Sequence, residues 1–122
     1  MILVDTSVWI DHLRNANTSL SRLLEANRVL VHPFVIGEIA LGALRQRELV
    51  LADLRRLPQL SVASDQEVLH FIEAQALFGL GIGYVDASLL AAVRLTTGAS
   101  LWTRDRRLLS VAMRLGLAAD SR

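Results

Sequence analysis

The run Ile2-Leu3-Val4-Asp5-Thr6-Ser7-Val8-Trp9-Ile10 passes from three apolar residues directly to a carboxylate and two hydroxyls. The apolar triplet predicts a short buried strand. Thr6 or Ser7 is then expected to cap a helix reaching about Leu13. The same alternation recurs along the chain. Asn15 to Thr18 is a polar break, and a helix from Ser19 places Leu20, Leu23 and Leu24 on one face. Val29-Leu30-Val31 predicts a second strand, closed by His32-Pro33, and Pro33 suits the first turn of a helix expected to continue to about Leu44. Another helix is expected from Arg47 to Leu57, and a weak strand from Leu60 to Ala63. Ser64 and Glu67 have the spacing of a capping box for a helix to about Phe78. Gly79, Gly81 and Gly83 loosen the chain before a helix from Val85 to Thr97, which Gly98 ends. Ala99 to Thr103 predicts a strand, and Arg106 to Leu115 a last helix stopped by Gly116. Strands alternating with helices imply an α/β fold. We expect one domain over residues 1–122, with a short central parallel sheet flanked by helices in three layers.

Composition sets the outer limits. The chain has 122 residues, a net charge of +1, 52% hydrophobic residues and no Cys, with a mean hydropathy of +0.40. That length suits one core and leaves no room for a second. The absence of Cys excludes a disulfide scaffold, a thiolate zinc site and a cysteine nucleophile. All 13 basic residues are Arg, so chemistry that needs a lysine is excluded as well. A near-neutral charge argues against a sequence-blind electrostatic nucleic-acid binder. The longest apolar or glycine stretch, Ala76 to Val85, is too short to cross a bilayer. No secretory signal is expected, and a cytoplasmic protein without membrane contact is the expectation.

Four of the 12 acidic residues stand in apolar company. Asp5 follows the first strand, Glu38 lies within Phe34 to Leu41, Asp86 lies within Gly83 to Leu90, and Asp105 follows Leu101-Trp102-Thr103. Carboxylates are seldom buried without a partner. Each has an ordinary explanation when taken alone. Asp5, Asp86 and Asp105 can each cap a helix, and Glu38 can pair with Arg45, seven residues on and on the same helical face. A shared explanation is stronger. Open parallel sheets gather functional groups beyond the carboxyl ends of their strands, where Asp5 and Asp105 fall and toward which Glu38 and Asp86 can point. Two unit charges about 5 Å apart repel by roughly 3 kcal/mol at an effective dielectric near 20. Four together approach about 20 kcal/mol, more than a typical domain's stability. Proton uptake sheds part of this, and a bound divalent cation removes it. Oxygen donors without His or Cys suit Mg²⁺ or Mn²⁺. Thr6, Ser7 and Thr103 are the supporting hydroxyls, with Ser7 and Thr103 two residues from Asp5 and Asp105 and within reach of a metal-bound water, and with routine capping an equal alternative for Thr6. Such a site performs phosphoryl chemistry, with arginines such as Arg45 and Arg104 gripping phosphate oxygens.

Val4-Asp5-Thr6-Ser7-Val8-Trp9-Ile10, the embedded Glu38, Asp86-Ala87-Ser88-Leu89 and Thr103-Arg104-Asp105 together resemble the signature of PIN-domain ribonucleases. The short length resembles the VapC-type toxins of toxin–antitoxin modules. The resemblance implies that Asp5, Glu38, Asp86 and Asp105 are the catalytic and metal-binding quartet, with Ser7 and Thr103 at the family's hydroxyl positions. It also implies a Mg²⁺- or Mn²⁺-dependent endoribonuclease, a homodimer, and inhibition by a VapB-type antitoxin in a hetero-oligomer that meets operator DNA only through the antitoxin. Leu108-Leu109 stand where many members carry Phe.

Other readings fit less well. A phosphoacceptor receiver needs a lysine, and a haloacid-dehalogenase-like phosphatase needs Asp where Ser7 stands. The glycines at 79, 81 and 83 follow a helix rather than a strand, unlike a dinucleotide loop. His12, His32 and His70 lack ligand spacing, and Trp9 and Trp102 are expected to pack near the sheet edge. A catalytically silent PIN-fold binding module and a DNA-directed nuclease remain as alternatives. The apolar surplus suits a dimer face and an antitoxin groove.

Overall fold

The structure is a computed structural model and describes residues 1–120; residues 121 and 122, part of the expected domain, lie outside the described residues. Three short strands form a parallel sheet: β1 (Ile2–Val4), β2 (Val29–Leu30) and β3 (Ser100–Trp102), in the order β2-β1-β3. Ile2 pairs with Val29 on one side and Ser100 on the other, and Val4 pairs with Trp102. All of β1 is buried, as a central strand covered on both faces requires. The first connection carries α1 (Thr6–Arg14) and α2 (Thr18–Glu25). The second carries α3 (Pro33–Ala40), α4 (Arg47–Arg56), α5 (Asp65–Ala74) and α6 (Tyr84–Leu95), and α7 (Arg106–Arg114) follows β3. The two connections run across the sheet in opposite directions. Right-handed crossovers then place their helices on opposite faces, giving the three-layer α/β/α arrangement. Among the described residues no helix is long and apolar enough to cross a membrane.

The strand order decides where a crevice opens. Where order reverses, adjacent connections part and leave a gap at the carboxyl ends of the strands. Here the reversal is at β1, beside β3. The ladder runs one step past the strand, with Asp5 N–H donating to Trp102 O at 2.9 Å. Asp5 is thereby fixed at the mouth of the crevice.

Several expectations hold. Ser64 and Glu67 form a complete capping box, Pro33 occupies the first turn of α3, and Gly98 and Gly116 take left-handed conformations with φ of 74° and 71°. Trp9 is buried and Trp102 packs against the core. Others need correction. Thr6 and Ser7 lie inside α1, whose N-cap position is Asp5. Helix α2 begins at Thr18, capped by Asn17, whose side chain accepts from Leu20 N–H. Helix α3 ends at Ala40, not Leu44, because the Arg47 guanidinium closes it by donating two bonds to Ala40 O, at 2.9 and 3.2 Å. Helix α5 ends at Ala74 rather than Phe78. Ala76 turns left-handed at φ 52°, and Leu77 N–H donates back to Ile72 O, burying Leu77 and leaving Phe78 in solvent. Leu60 to Ala63 is no strand. A single bridge joins Val31 to Gln59, since the chain after Val31 turns into α3 at Pro33 and offers no further strand to pair with, and Ser61 N–H turns to Thr96 Oγ1.

Gly37 lies in the interior of α3, where an added Cβ would meet nothing within 4 Å. Close packing therefore does not account for it. Replacing it with Ala removes unfolded-state freedom without a clash, so Gly37→Ala is expected to raise unfolding stability by about 0.5–1 kcal/mol, read from the urea midpoint.

Candidate active site

Asp5 is 7% exposed and organises everything around it. It occupies the N-cap position of α1, yet its side chain makes no capping bond. Instead Oδ2 accepts from Ser7 Oγ at 2.7 Å and from Thr103 Oγ1 at 2.8 Å. The proton directions are forced. Arg104 N–H donates to Ser7 Oγ at 3.0 Å and Asp105 N–H donates to Thr103 Oγ1 at 3.1 Å. An ionised carboxylate can only accept and a backbone N–H can only donate, so each hydroxyl accepts from the backbone and gives its single proton to Asp5. Two hydroxyls thus tie the exit of β1 to the segment leaving β3, and they set the aim of the Asp5 carboxylate.

The other three carboxylates come from separate elements. Glu38, exposed on α3, accepts from Thr6 Oγ1 at 2.7 Å. The pairing with Arg45 does not form, because α3 ends at Ala40 and Arg45 stands beyond it in the connection to α4, lining a cleft of about 720 Å³ with Ile10, Leu13 and Arg14. Asp86, in the first turn of α6, accepts from Gly83 N–H at 3.0 Å. Asp105 caps α7, its Oδ1 accepting from Leu108 N–H at 3.0 Å. Capping is therefore a real role for one oxygen of Asp105. The same pattern holds for all four residues: one oxygen is committed to a protein donor, and the other has no protein partner among the described residues.

The four share an electrostatic environment. The Asp86 carboxyl is held above the usual carboxylate range, first by burial and then by the nearby charges of Asp5, Asp105 and Glu38, while the Gly83 N–H bond pulls the other way. No arginine among the described residues pairs with them. Among the described residues the ion pairs are Arg56–Asp53 and Arg104–Asp11, and neither includes the quartet. Arg107 approaches from α7 but lies over Gly81, where a Cβ would stand 2.8 Å from its Nη1. The donor set, carboxylate and hydroxyl oxygens with no competing cation, fits a hard divalent ion. Among the described residues no three of these side chains stand within common reach of one ion, so the fit is one of donor chemistry rather than of a formed cage.

A sequence profile of the PIN domain matches residues 2–113. The chain belongs to the PIN domain family. It is also 49% identical over 118 residues to proteins named Ribonuclease VapC32 from two strains of Mycobacterium tuberculosis, CDC 1551 / Oshkosh and ATCC 25618 / H37Rv. The match covers 97% of this chain and 95% of each relative, which makes this a PIN domain of VapC type. The sequence points to Asp5, Glu38, Asp86, Asp105, Ser7 and Thr103 near one edge, and the structure brings them there. The sequence also offers Thr6 as a supporting hydroxyl beside a capping role, but not its partner, Glu38. The seven-residue repeat of a two-turn helical face carries no trace of a contact made across 32 positions.

Two variants should move stability in opposite directions. Thr103 is 5% exposed, and Thr103→Val leaves a buried carboxylate short of one donor. It should cost about 1–3 kcal/mol in urea unfolding. Asp86→Asn keeps an acceptor for Gly83 N–H and removes a charge the fold resists. A raised folded pKa penalises the fold fully above that pKa and not at all below the ordinary carboxylate value. Asp86→Asn, measured in EDTA, should therefore raise the Tm at pH 7, with the gain shrinking as pH falls into the acid range.

Proposed function

We propose that the chain is a Mg²⁺- or Mn²⁺-dependent endoribonuclease toxin that hydrolyses RNA phosphodiester bonds and is neutralised by a VapB-type antitoxin. The observation that carries this reading is the placement of four carboxylates from four elements around one sheet edge, near enough for three of them to raise the proton affinity of Asp86, with no arginine among the described residues paired to any of them. The name of the mycobacterial relatives supports ribonuclease activity.

Asp5, Glu38, Asp86 and Asp105 would be the source of the ion's oxygen ligands, each having one oxygen that no protein donor occupies among the described residues. A divalent cation held there would supply Lewis-acid chemistry, making a water more acidic and offsetting negative charge at the phosphodiester. The residues of the chain supply the rest. Ser7 and Thr103 hold the Asp5 carboxylate in one orientation, so that no reorganisation is needed when substrate arrives. Thr6 does the same for Glu38 across the crevice. Asp86, whose carboxyl burial and its three acidic neighbours hold above the usual carboxylate range, is the member of the quartet whose charge a bound cation would relieve most. Arg45 and Arg104 are the candidates for gripping the RNA backbone. The open space beside Gly37, one residue before Glu38, leaves room for a strand to pass.

Partner binding draws on a separate feature. Leu41 is 90% exposed, with Leu49, Leu69, Phe78 and Met113 also more than half exposed. This apolar surface supports a homodimer face and an antitoxin groove, within a cytoplasmic protein.

Incubation with single-stranded RNA and Mn²⁺ should give discrete cleavage, absent in EDTA and reduced at least about a hundred-fold in Asp5→Asn. Asp86→Asn should lose cleavage while keeping its fold. Mapping of new RNA 5′ ends after induced expression would identify the target. Tight antitoxin binding without cleavage would show a silent module instead, and cleavage confined to single-stranded DNA would move the substrate class.

A further inference from the structure

Beside the acidic quartet, on the outer side of Arg104, lies a polar pocket of about 480 Å³ lined by Asp11, Arg14, Asn15, Asn17, Thr18 and Arg104. Resting on the ribonuclease reading, we propose that this pocket is a phosphate anchor for the RNA strand as it leaves the cleavage site, with Arg104 and Arg14 as its cations and Asp11 as the internal group that occupies it when RNA is absent.

The placement of Arg104 carries the argument. Its backbone N–H is bonded to Ser7 Oγ, so the residue is registered against the same hydroxyl that orients Asp5. Its neighbours in the chain are Thr103 and Asp105, both in the site. Its guanidinium nevertheless turns away from the carboxylates. Nη1 lies 2.6 Å from Oδ2 of Asp11, one helical turn beyond Ser7 on α1. Both side chains are largely in solvent, 60% and 42% exposed, and such pairs contribute little to stability. The contact is therefore cheaply exchanged. A carboxylate oxygen and a phosphate oxygen are equivalent partners for a guanidinium nitrogen, so the Asp11 oxygen on Nη1 stands where a phosphate oxygen would take over. Arg14, the last residue of α1, has no ion-pair partner among the described residues and lines the same pocket.

The charge balance requires something of this kind. RNA is a polyanion, and the quartet presents it with more negative charge. A cation inside the quartet would compete with a metal ion for the carboxylates. Cations beside it, parked on a carboxylate outside the quartet, hold the strand without quenching the site.

The test is binding of a short fluorescein-labelled single-stranded RNA to the full chain in EDTA, with anisotropy read across a salt series. Arg104→Ala and Arg14→Ala should each weaken binding roughly three- to ten-fold. Each should also lower the magnitude of the log–log salt slope by about 0.7, the value for one single-strand phosphate contact. Asp11→Asn should tighten binding about two- to five-fold, because the competing occupant is gone. DNA of the same sequence should lose the same increment of slope in Arg104→Ala, since a phosphate anchor ignores the sugar. Unchanged affinity and slope in both arginine variants would overturn the anchor. Weaker binding in Asp11→Asn would overturn Asp11 as an occupant and make it a positioning group. Cleavage by the wild type with unchanged slopes removes the anchor and keeps the nuclease; changed slopes without cleavage do the reverse.

Discussion

A carboxylate at the end of a buried strand must be given donors, and Asp5 receives two from side chains 96 residues apart in sequence, Ser7 and Thr103. Burial makes those bonds obligatory, since an unmet acceptor in that position forfeits its hydration without return. The bonds in turn make the β1–β3 junction obligatory, because Ser7 and Thr103 meet Asp5 only when Val4 is paired with Trp102. Register, side-chain aim and site geometry are thus a single constraint. The backbone N–H groups of Arg104 and Asp105 extend it by holding each hydroxyl oxygen in place while its proton goes to the carboxylate. The arrangement leaves little freedom for the first carboxylate of the quartet.

The remaining carboxylates are held more loosely, and their differences follow from burial. Glu38 and Asp105 are exposed, while Asp86 is half-buried. The proton affinity of Asp86 rises for that reason first and because of its three neighbours second. Repulsion at the edge is therefore distributed unequally: solvent screens the outer groups, hydroxyls satisfy Asp5, and Asp86 bears the strain. A protein selected only for stability would remove that charge. Retaining it is the pattern expected of a site where folding free energy is given up for chemistry.

The layers of the fold were legible because strands and helices alternate with clear periodicity. The three strands come from Ile2-Leu3-Val4, Val29-Leu30 and Ser100 to Trp102, where apolar or β-branched residues run together, and capping signals at Ser64 and Pro33 fixed two helix starts. Helix ends were less legible. Ala76 takes a left-handed turn of the kind usually made by Gly or Asn, so nothing local marks the end of α5. Helix α3 is closed by Arg47 from seven residues downstream, an interaction with no local signature. The Leu60 to Ala63 segment has strand-like composition but no partner strand, since the edge it would join leaves the sheet at Pro33 to form α3. For the site, residue types and company were enough to pick out the quartet and two hydroxyls. The Thr6–Glu38 bond and the Arg104–Asp11 pair were not legible, because they depend on how α1 lies against α3 and against the segment after β3.

That last dependence links the anchor to the rest of the molecule. Helix α1 starts just after Asp5 and carries Thr6, Ser7, Asp11 and Arg14 along its length. Its first turn orients two carboxylates of the quartet, one through each hydroxyl, and the following turns present the groups that meet Arg104. Spacing of three and four residues keeps Ser7, Asp11 and Arg14 near one side of the helix. A rotation of α1 large enough to release Asp11 from Arg104 would also draw Ser7 from Asp5, so exchange at the anchor must occur by side-chain movement alone. An exposed arginine on a fixed backbone meets that requirement. It reorients on the timescale of rotamer changes, while the helix that aims the carboxylates stays in place.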